Sequence, residues 1–232
     1  MKKLWLVFLM LLIATCAWGD SVPHESLDLL YRGEECPECP DCGVQETMER
    51  MYEGGVLSNT FIEGDKAYMN IYLNISDFTA KDFWNDIAIL KLRDIKNIEL
   101  YISSGGGNAT AGLALADQIE MAKRSGFTIV AHASGIIASA TVPVFAVCSK
   151  RYAAEGTIFM VHEASIFKFF SNESKSDIKS QNALMELLTK KYMDKMTKYS
   201  NLTIEQWEEY ERETTWFDAH TAKEWGLDDK VE

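Results

Sequence analysis

Along residues 67–161 the apolar side chains switch repeatedly between a two-residue and a helical spacing, and that alternation leaves few folds open. Residues 67–73 set Met69, Ile71 and Leu73 against Tyr68, Asn70 and Tyr72, the period of a strand. Residues 80–92 place Phe83, Ile87 and Leu90 on one helical face, and Thr79 with Asp82 has the spacing of a capping box. Ile98, Leu100 and Ile102 mark a second strand, and residues 111–125 a second helix that carries Lys123 and Arg124 in its last turn and stops at Gly126. Residues 127–133 read as a third strand, residues 139–148 as a buried helix and residues 157–161 as a fourth strand. Strands separated by helices are joined by crossovers, which run them parallel. The expected class is α/β, a mostly parallel β-sheet with crossover helices.

After His162 the pattern changes. Residues 166–170 form a short apolar strand candidate, and residues 175–199 a long helix with Ile178, Leu184, Leu187, Leu188, Tyr192 and Met196 along one stripe. Such a stripe at the edge of a compact domain needs a further surface to cover it, which points to self-association. Residues 203–214 give a last helix, opened by Thr203 and Gln206 as a capping box.

The first nineteen residues carry Lys2 and Lys3, an apolar run over residues 4–14 and the small-x-small sequence Ala17-Trp18-Gly19, the pattern of an export signal. An uncleaved anchor, tethering the chain to a membrane, is the alternative if residues 15–18 are added to the run. Thr15 before Cys16 makes a poor lipoprotein box. Removing the signal takes two lysines and no acid, so the net charge of −12 becomes −14. That balance argues against nucleic acid as a partner, because phosphate binding needs a basic face. No glycine-lysine phosphate loop occurs, so ATP hydrolysis by this chain is not expected, and no cofactor is implied.

Residues 20–55 read as an extension, with a short helix near residues 45–52, and the folded domain as residues 56–232. The extension holds Cys36, Cys39 and Cys42. Three thiols are one ligand short of a closed zinc site; they fit equally a local disulfide with one thiol left for another chain, or a linker with incidental cysteines. Cys148, inside an apolar run, reads as a small buried hydrophobe.

Three segments carry chemistry. Ser103-Ser104-Gly105-Gly106-Gly107 is a glycine-rich turn after a strand, Gly135-Ile136-Ile137-Ala138-Ser139 leads into the buried helix, and Phe159-Met160-Val161-His162 closes the fourth strand. A serine hydroxyl becomes a nucleophile when a base takes its proton and donors hold the resulting oxyanion. Ser139 at a helix start would have the Ala140 N–H as one donor, and Gly107, lacking a Cβ, would bring a second. Taken singly, a glycine turn, a serine cap and a strand-end histidine are ordinary structural features.

Taken together they resemble the Clp-type serine peptidases, the ClpP proteolytic subunit, within the ClpP/crotonase fold. Residues 101–112 are similar to that family's strand, glycine loop and helix start. Residues 135–139 resemble its Gly-x-x-Ala-Ser nucleophile motif, residues 159–162 its Met-Ile-His motif, and Ala222-Lys223-Glu224-Trp225-Gly226-Leu227-Asp228-Asp229 its Ala-x-Glu-Tyr-Gly-Leu-x-Asp signature. The resemblance spans about residues 67–231. It implies Ser139 as nucleophile, His162 as base, Gly107 and Ala140 as oxyanion donors, and residues 164–200 as a protruding strand-helix handle that interleaves two stacked rings. It also implies a substrate of peptide or unfolded protein, a homo-oligomeric chamber and delivery by an ATPase partner.

The departures are specific. Counting back from Trp225-Gly226-Leu227, the family's catalytic Asp falls on Thr214, which can hold a histidine tautomer but cannot offset an imidazolium charge. Glu213 and Asp218 are the neighbouring carboxylates. Thr141 stands where the family has glycine, and Pro143 falls in the first helical turn. An export signal also separates the chain from a cytosolic ATPase. In the exported relatives within this fold class, the signal-peptide-peptidase-like and NfeD-associated membrane proteases, the resemblance would imply a Ser-Lys pair instead of Ser-His. The expectation is thus a serine endopeptidase acting through Ser139, His162 and, third, Thr214. The competing readings are a catalytically silent Clp-like scaffold subunit and an acyl-CoA enzyme of the crotonase type.

Overall fold

A computed structural model describes residues 60–165 and 174–232. The expected export signal, the extension with Cys36, Cys39 and Cys42, the expected domain start at residue 56 and the expected strand at residues 166–170 lie outside the described residues. The chain runs β1 (Thr60–Glu63), β2 (Lys66–Tyr72), α1 (Asp77–Leu92), β3 (Asn97–Ser104), α2 (Ala109–Arg124), β4 (Thr128–Ala138), α3 (Thr141–Ala146), β5 (Lys150–Ala153), β6 (Ile158–Val161), α4 (Lys175–Lys198), α5 (Ile204–Glu213), β7 (Thr215–Asp218), α6 (Ala219–Glu224) and β8 (Lys230–Val231).

Most of the sheet is parallel, as the alternation predicts. β2, β3, β4, β5 and β8 lie side by side in that order and parallel; β1 adds antiparallel to β2. The central strands are fixed by burial: Ile98, Leu100 and Ile102 of β3 are almost completely withdrawn from solvent, as are Ile129 and Ala131 of β4. Each such isoleucine or leucine contributes about 1.5–3 kcal/mol, and a one-residue slip would turn all of them to the wrong face.

β4 is the branch point. Its first half pairs with β3 and with β5, through Val130 to Ala133. Its second half, Ile136 to Ala138, pairs in parallel with β6. Between the halves the register against β3 shifts, and Gly135 takes φ 68 with space for a Cβ limited by the Ser103 hydroxyl at 3.0 Å. A side chain is strained in that conformation, so glycine lets one strand serve two neighbours. Sequence periodicity ends this strand at Ala133; the structure carries it five residues further.

The helix ends are chemically specified. α1 opens on Ser76, one residue set earlier than the Thr79 and Asp82 spacing suggests: Ser76 accepts from the Thr79 N–H while the Thr79 side chain reaches back to the Ser76 N–H. Asn108 caps α2, and Thr203 with Gln206 caps α5 as the spacing predicts. The C-terminal part of α4 is tied to α2 by Lys195 on Asp117 at 2.6 Å and on Glu120 at 2.8 Å, with Lys198 and the Tyr199 hydroxyl also on Glu120. Only Met193 and Met196 of α4 are buried, whereas Ile178, Leu184 and Leu187 are 47–59% exposed. Cys148 is enclosed, and burial pushes its thiol up to about 12, so it packs as a hydrophobe.

Candidate active site

The carboxyl ends of β3, β4 and β6 converge, and each delivers one of the chemistry-bearing segments, as parallel strands do at one sheet edge. Ser139 follows β4 directly. It is not the start of a helix, as the sequence suggests; it stands in a left-handed turn at φ 54, Ala140 caps the helix and α3 begins at Thr141. A non-glycine residue there costs on the order of 1–2 kcal/mol. The turn is held by the Ser139 N–H donating to the Met160 carbonyl at 2.8 Å and by the Val142 N–H donating to the Ser139 carbonyl at 3.0 Å. This thrusts the hydroxyl out of the sheet edge, half-buried.

His162 follows β6, in register with that turn because Ala138 pairs with Met160. Its Nε2 lies 2.9 Å from Ser139 Oγ. The glycine loop lies on the other side. Gly106 sits at φ 99, where a Cβ would come within 2.7 Å of Ser139 Cβ and 2.8 Å of the Ala138 carbonyl. Gly107 sits at φ 148 with its Cα against the Ile75 backbone. The Ile75 N–H donates to the Gly106 carbonyl at 2.8 Å and the Asn108 N–H to the Ile75 carbonyl at 2.9 Å, which clamps the loop between Ile75 and Ser139. Among the described residues, neither the Gly107 nor the Ala140 N–H donates to a protein acceptor. Two free donors beside a serine hydroxyl within reach of an imidazole are an arrangement that could hold an oxyanion.

Thr214 is the left-handed cap of α5, at φ 53 and ψ 79. β6 and β7 pair antiparallel with Val161 opposite Thr215, so Thr214 comes alongside His162. It is exposed, and no hydrogen bond joins it to His162 among the described residues. Asp218 is at the far end of β7, opposite Ile158, with its side chain capping α6 through the Thr221 N–H at 2.8 Å; Glu213 is exposed. The Thr141 hydroxyl is buried without a hydrogen-bond partner.

A small pocket, partly open to solvent, adjoins Ser139, Ala140 and His162, with Pro143 in its wall. One lining residue was not anticipated from the sequence. Glu211, in the last turn of α5, is 6% exposed, and burial, with Glu163 and Glu208 nearby, pushes its carboxyl up to about 8. The available signal was its spacing: Glu211 falls four residues after the fully buried Trp207, on the same helix face. Among the described residues, no group of three or more His, Cys, Asp or Glu side chains is placed to hold a metal.

Residues 63–232 match the family model described as Clp protease. The chain belongs to the Clp protease family. Its Clp relatives include the ATP-dependent Clp protease proteolytic subunit 1 of Streptomyces coelicolor, 33% identical over 162 residues that cover 68% of this chain and 70% of that one. The corresponding subunit 3 of Streptomyces avermitilis is 32% identical with the same coverage, and subunit 2 of Thermobifida fusca is 27% identical over 68% of this chain and 76% of that one. Clp-family membership thus covers every strand from β2 onward and all the segments that converge on Ser139.

Proposed function

We propose that this Clp-family chain is a serine endopeptidase that cleaves peptides or unfolded protein through an acyl-enzyme on Ser139. The observation that carries the reading is the 2.9 Å approach of His162 Nε2 to Ser139 Oγ, a distance at which the imidazole can take the hydroxyl proton. As Oγ attacks the scissile carbonyl, His162 accepts that proton and the new oxyanion is met by the Gly107 and Ala140 N–H groups. His162 returns the proton to the leaving amine. A water, deprotonated in turn by His162, then releases the acyl group. Thr214 takes the third position as a neutral residue, so the imidazolium formed at each step lacks a carboxylate beside it, and the pair works as a slow dyad.

Assembly belongs to the same proposal. Ile178, Leu184 and Leu187 leave an apolar stripe on α4 uncovered within one subunit, which favours a homo-oligomeric chamber built through this helix. The relatives are named ATP-dependent, which supports an ATPase partner; export through residues 1–19, or tethering by them, would instead leave the subunit to act on chains already unfolded.

Replacing Ser139→Ala is expected to abolish fluorophosphonate labelling and to lower peptide hydrolysis by at least about 10³-fold. Hydrolysis that persists in Ser139→Ala would overturn the assignment. A wild-type protein that neither labels nor hydrolyses, yet assembles with an active homologue, would establish the silent scaffold reading instead.

A further inference from the structure

The pocket beside the dyad is mostly apolar, walled by Ala109 and Leu113 of α2, Pro143 of α3 and Leu188 of α4. Besides the dyad and Thr189, two polar groups interrupt it. Glu211 is 6% exposed, and among the described residues no hydrogen bond or ion pair reaches its carboxylate. The Tyr192 hydroxyl, also in the lining, is buried with no hydrogen-bond partner. A carboxyl group left with only a narrow contact with water and no protein partner is costly to ionise, and a cationic ligand would supply the partner. Acids outnumber bases around it. On its outer side Glu211 borders a groove that also holds Glu163, Glu186, Asp194 and Glu208 against only Lys190 and Arg212, and Lys190 is engaged with Asp194 at 3.4 Å.

We propose that Glu211 is the specificity determinant of this pocket, which takes the lysine or arginine side chain that precedes the scissile bond. The apolar walls suit the methylene stem of such a side chain, and the acid beyond them suits its charged end. An uncharged aliphatic residue would leave Glu211 and the Tyr192 hydroxyl unpaired. This inference rests on the Ser139 peptidase reading and narrows its substrate.

The charge state of the pocket adds a signature. In the empty pocket, burial and the neighbouring Glu163 and Glu208 keep Glu211 partly protonated up to about pH 8. An entering ammonium group favours the ionised carboxylate, so preference for a cation strengthens as pH rises from about 7 to 9. The other titratable or charged groups that border Glu211 are Tyr192, His162, Glu186, Asp194, Lys190 and Arg212.

The test uses the full chain and two fluorogenic peptides identical except for Lys or Leu before the cleaved bond. The Lys-to-Leu ratio of kcat/KM is expected to exceed one, to rise with pH between about 7 and 9, and to fall at least tenfold in Glu211→Gln. A wild-type ratio below one, or a ratio unchanged in Glu211→Gln, would overturn the proposal. If neither peptide is cleaved, the peptidase reading fails separately, and the pocket is read by calorimetry with product peptides ending in Lys or Leu. Tighter binding of the Lys peptide, lost in Glu211→Gln, supports the proposal; equal binding of the two refutes it.

Discussion

Thr214→Asp is expected to raise stability and activity together, for two separable reasons. The first is conformational. Thr214 is β-branched and stands at φ 53, ψ 79, where such a residue is strained by about 1–2 kcal/mol and Asp or Asn is accommodated more easily. Relief of about half of that strain corresponds to a rise in Tm of about 1–4 °C for a domain of this size. The second reason is charge. With Val161 paired to Thr215, residue 214 lies alongside His162, and a carboxylate about 4–5 Å from an imidazolium interacts by roughly 3–4 kcal/mol at an effective dielectric of about 20. Solvent at this exposed position reduces that to about 1–2 kcal/mol, or roughly 5–30-fold in kcat/KM. The assay is peptide hydrolysis by wild type, Thr214→Asp and Thr214→Asn, with thermal melts of all three. Asn shares the backbone relief but brings no charge, so both variants should melt higher and only Asp should be faster. Equal acceleration by Asn, or no acceleration by Asp, would refute the argument that a missing charge limits the dyad.

Two further outcomes follow from the packing. Gly106→Ala should cost at least about 100-fold in activity while the chain still folds, because the added Cβ meets Ser139 Cβ at 2.7 Å in a backbone conformation that already disfavours a side chain; Gly105→Ala, whose Cβ would meet nothing within 4 Å, should remain much nearer wild type in both rate and melting. Glu120 is pushed upward by burial, but hydrogen bonds from Lys195, Lys198 and Tyr199 outweigh this and hold it down at about 2. Its folded value therefore lies below the unfolded one, so its stabilising contribution is present above about pH 4.5 and is lost as pH falls toward 2; amide exchange in the C-terminal half of α4 should accelerate over that interval in wild type, and in Glu120→Gln should already be fast and change little.

The sequence discloses elements whose apolar spacing is set by a single buried face. β2, β3, α2 and α5 are of that kind. β5 and β7 escape notice because Lys150–Ala153 and Thr215–Asp218 are only four residues long and contain one buried side chain each, too few to establish a period. Ser139 is singled out in the sequence by its glycine-loop and histidine companions and by the Gly-x-x-Ala-Ser resemblance, yet its turn is not, since nothing in Ala138-Ser139-Ala140 marks a positive φ; that conformation is imposed by the Ser139 N–H on Met160 and by the approach of Gly106. Glu211 was hidden for another reason. α5 carries Glu205, Glu208, Glu209, Glu211 and Glu213, which reads as a solvated acidic helix, and only its docking decides that Glu211 turns inward while Glu213 stays out.

This division also explains how the proposed dyad can keep its geometry with threonine at the proposed third place. Ser139 and His162 are set by one parallel register, Ala138 against Met160, and the same pairing supplies the carbonyl that holds the Ser139 turn. His162 and Ser139 therefore move together with β6 and β4. Residues 211 and 214 arrive on a different segment, α5 with its cap, joined to this unit through the antiparallel β6 and β7 pair and the Glu163 N–H on the Glu211 carbonyl at 3.2 Å. Those contacts are backbone contacts, and the Phe159–Phe217 stacking that accompanies them involves neither residue 211 nor residue 214. Threonine at 214 and glutamate at 211 can therefore change the charge at the two ends of the site, the position beside His162 and the wall of the pocket, while leaving the 2.9 Å approach of Ser139 and His162 intact.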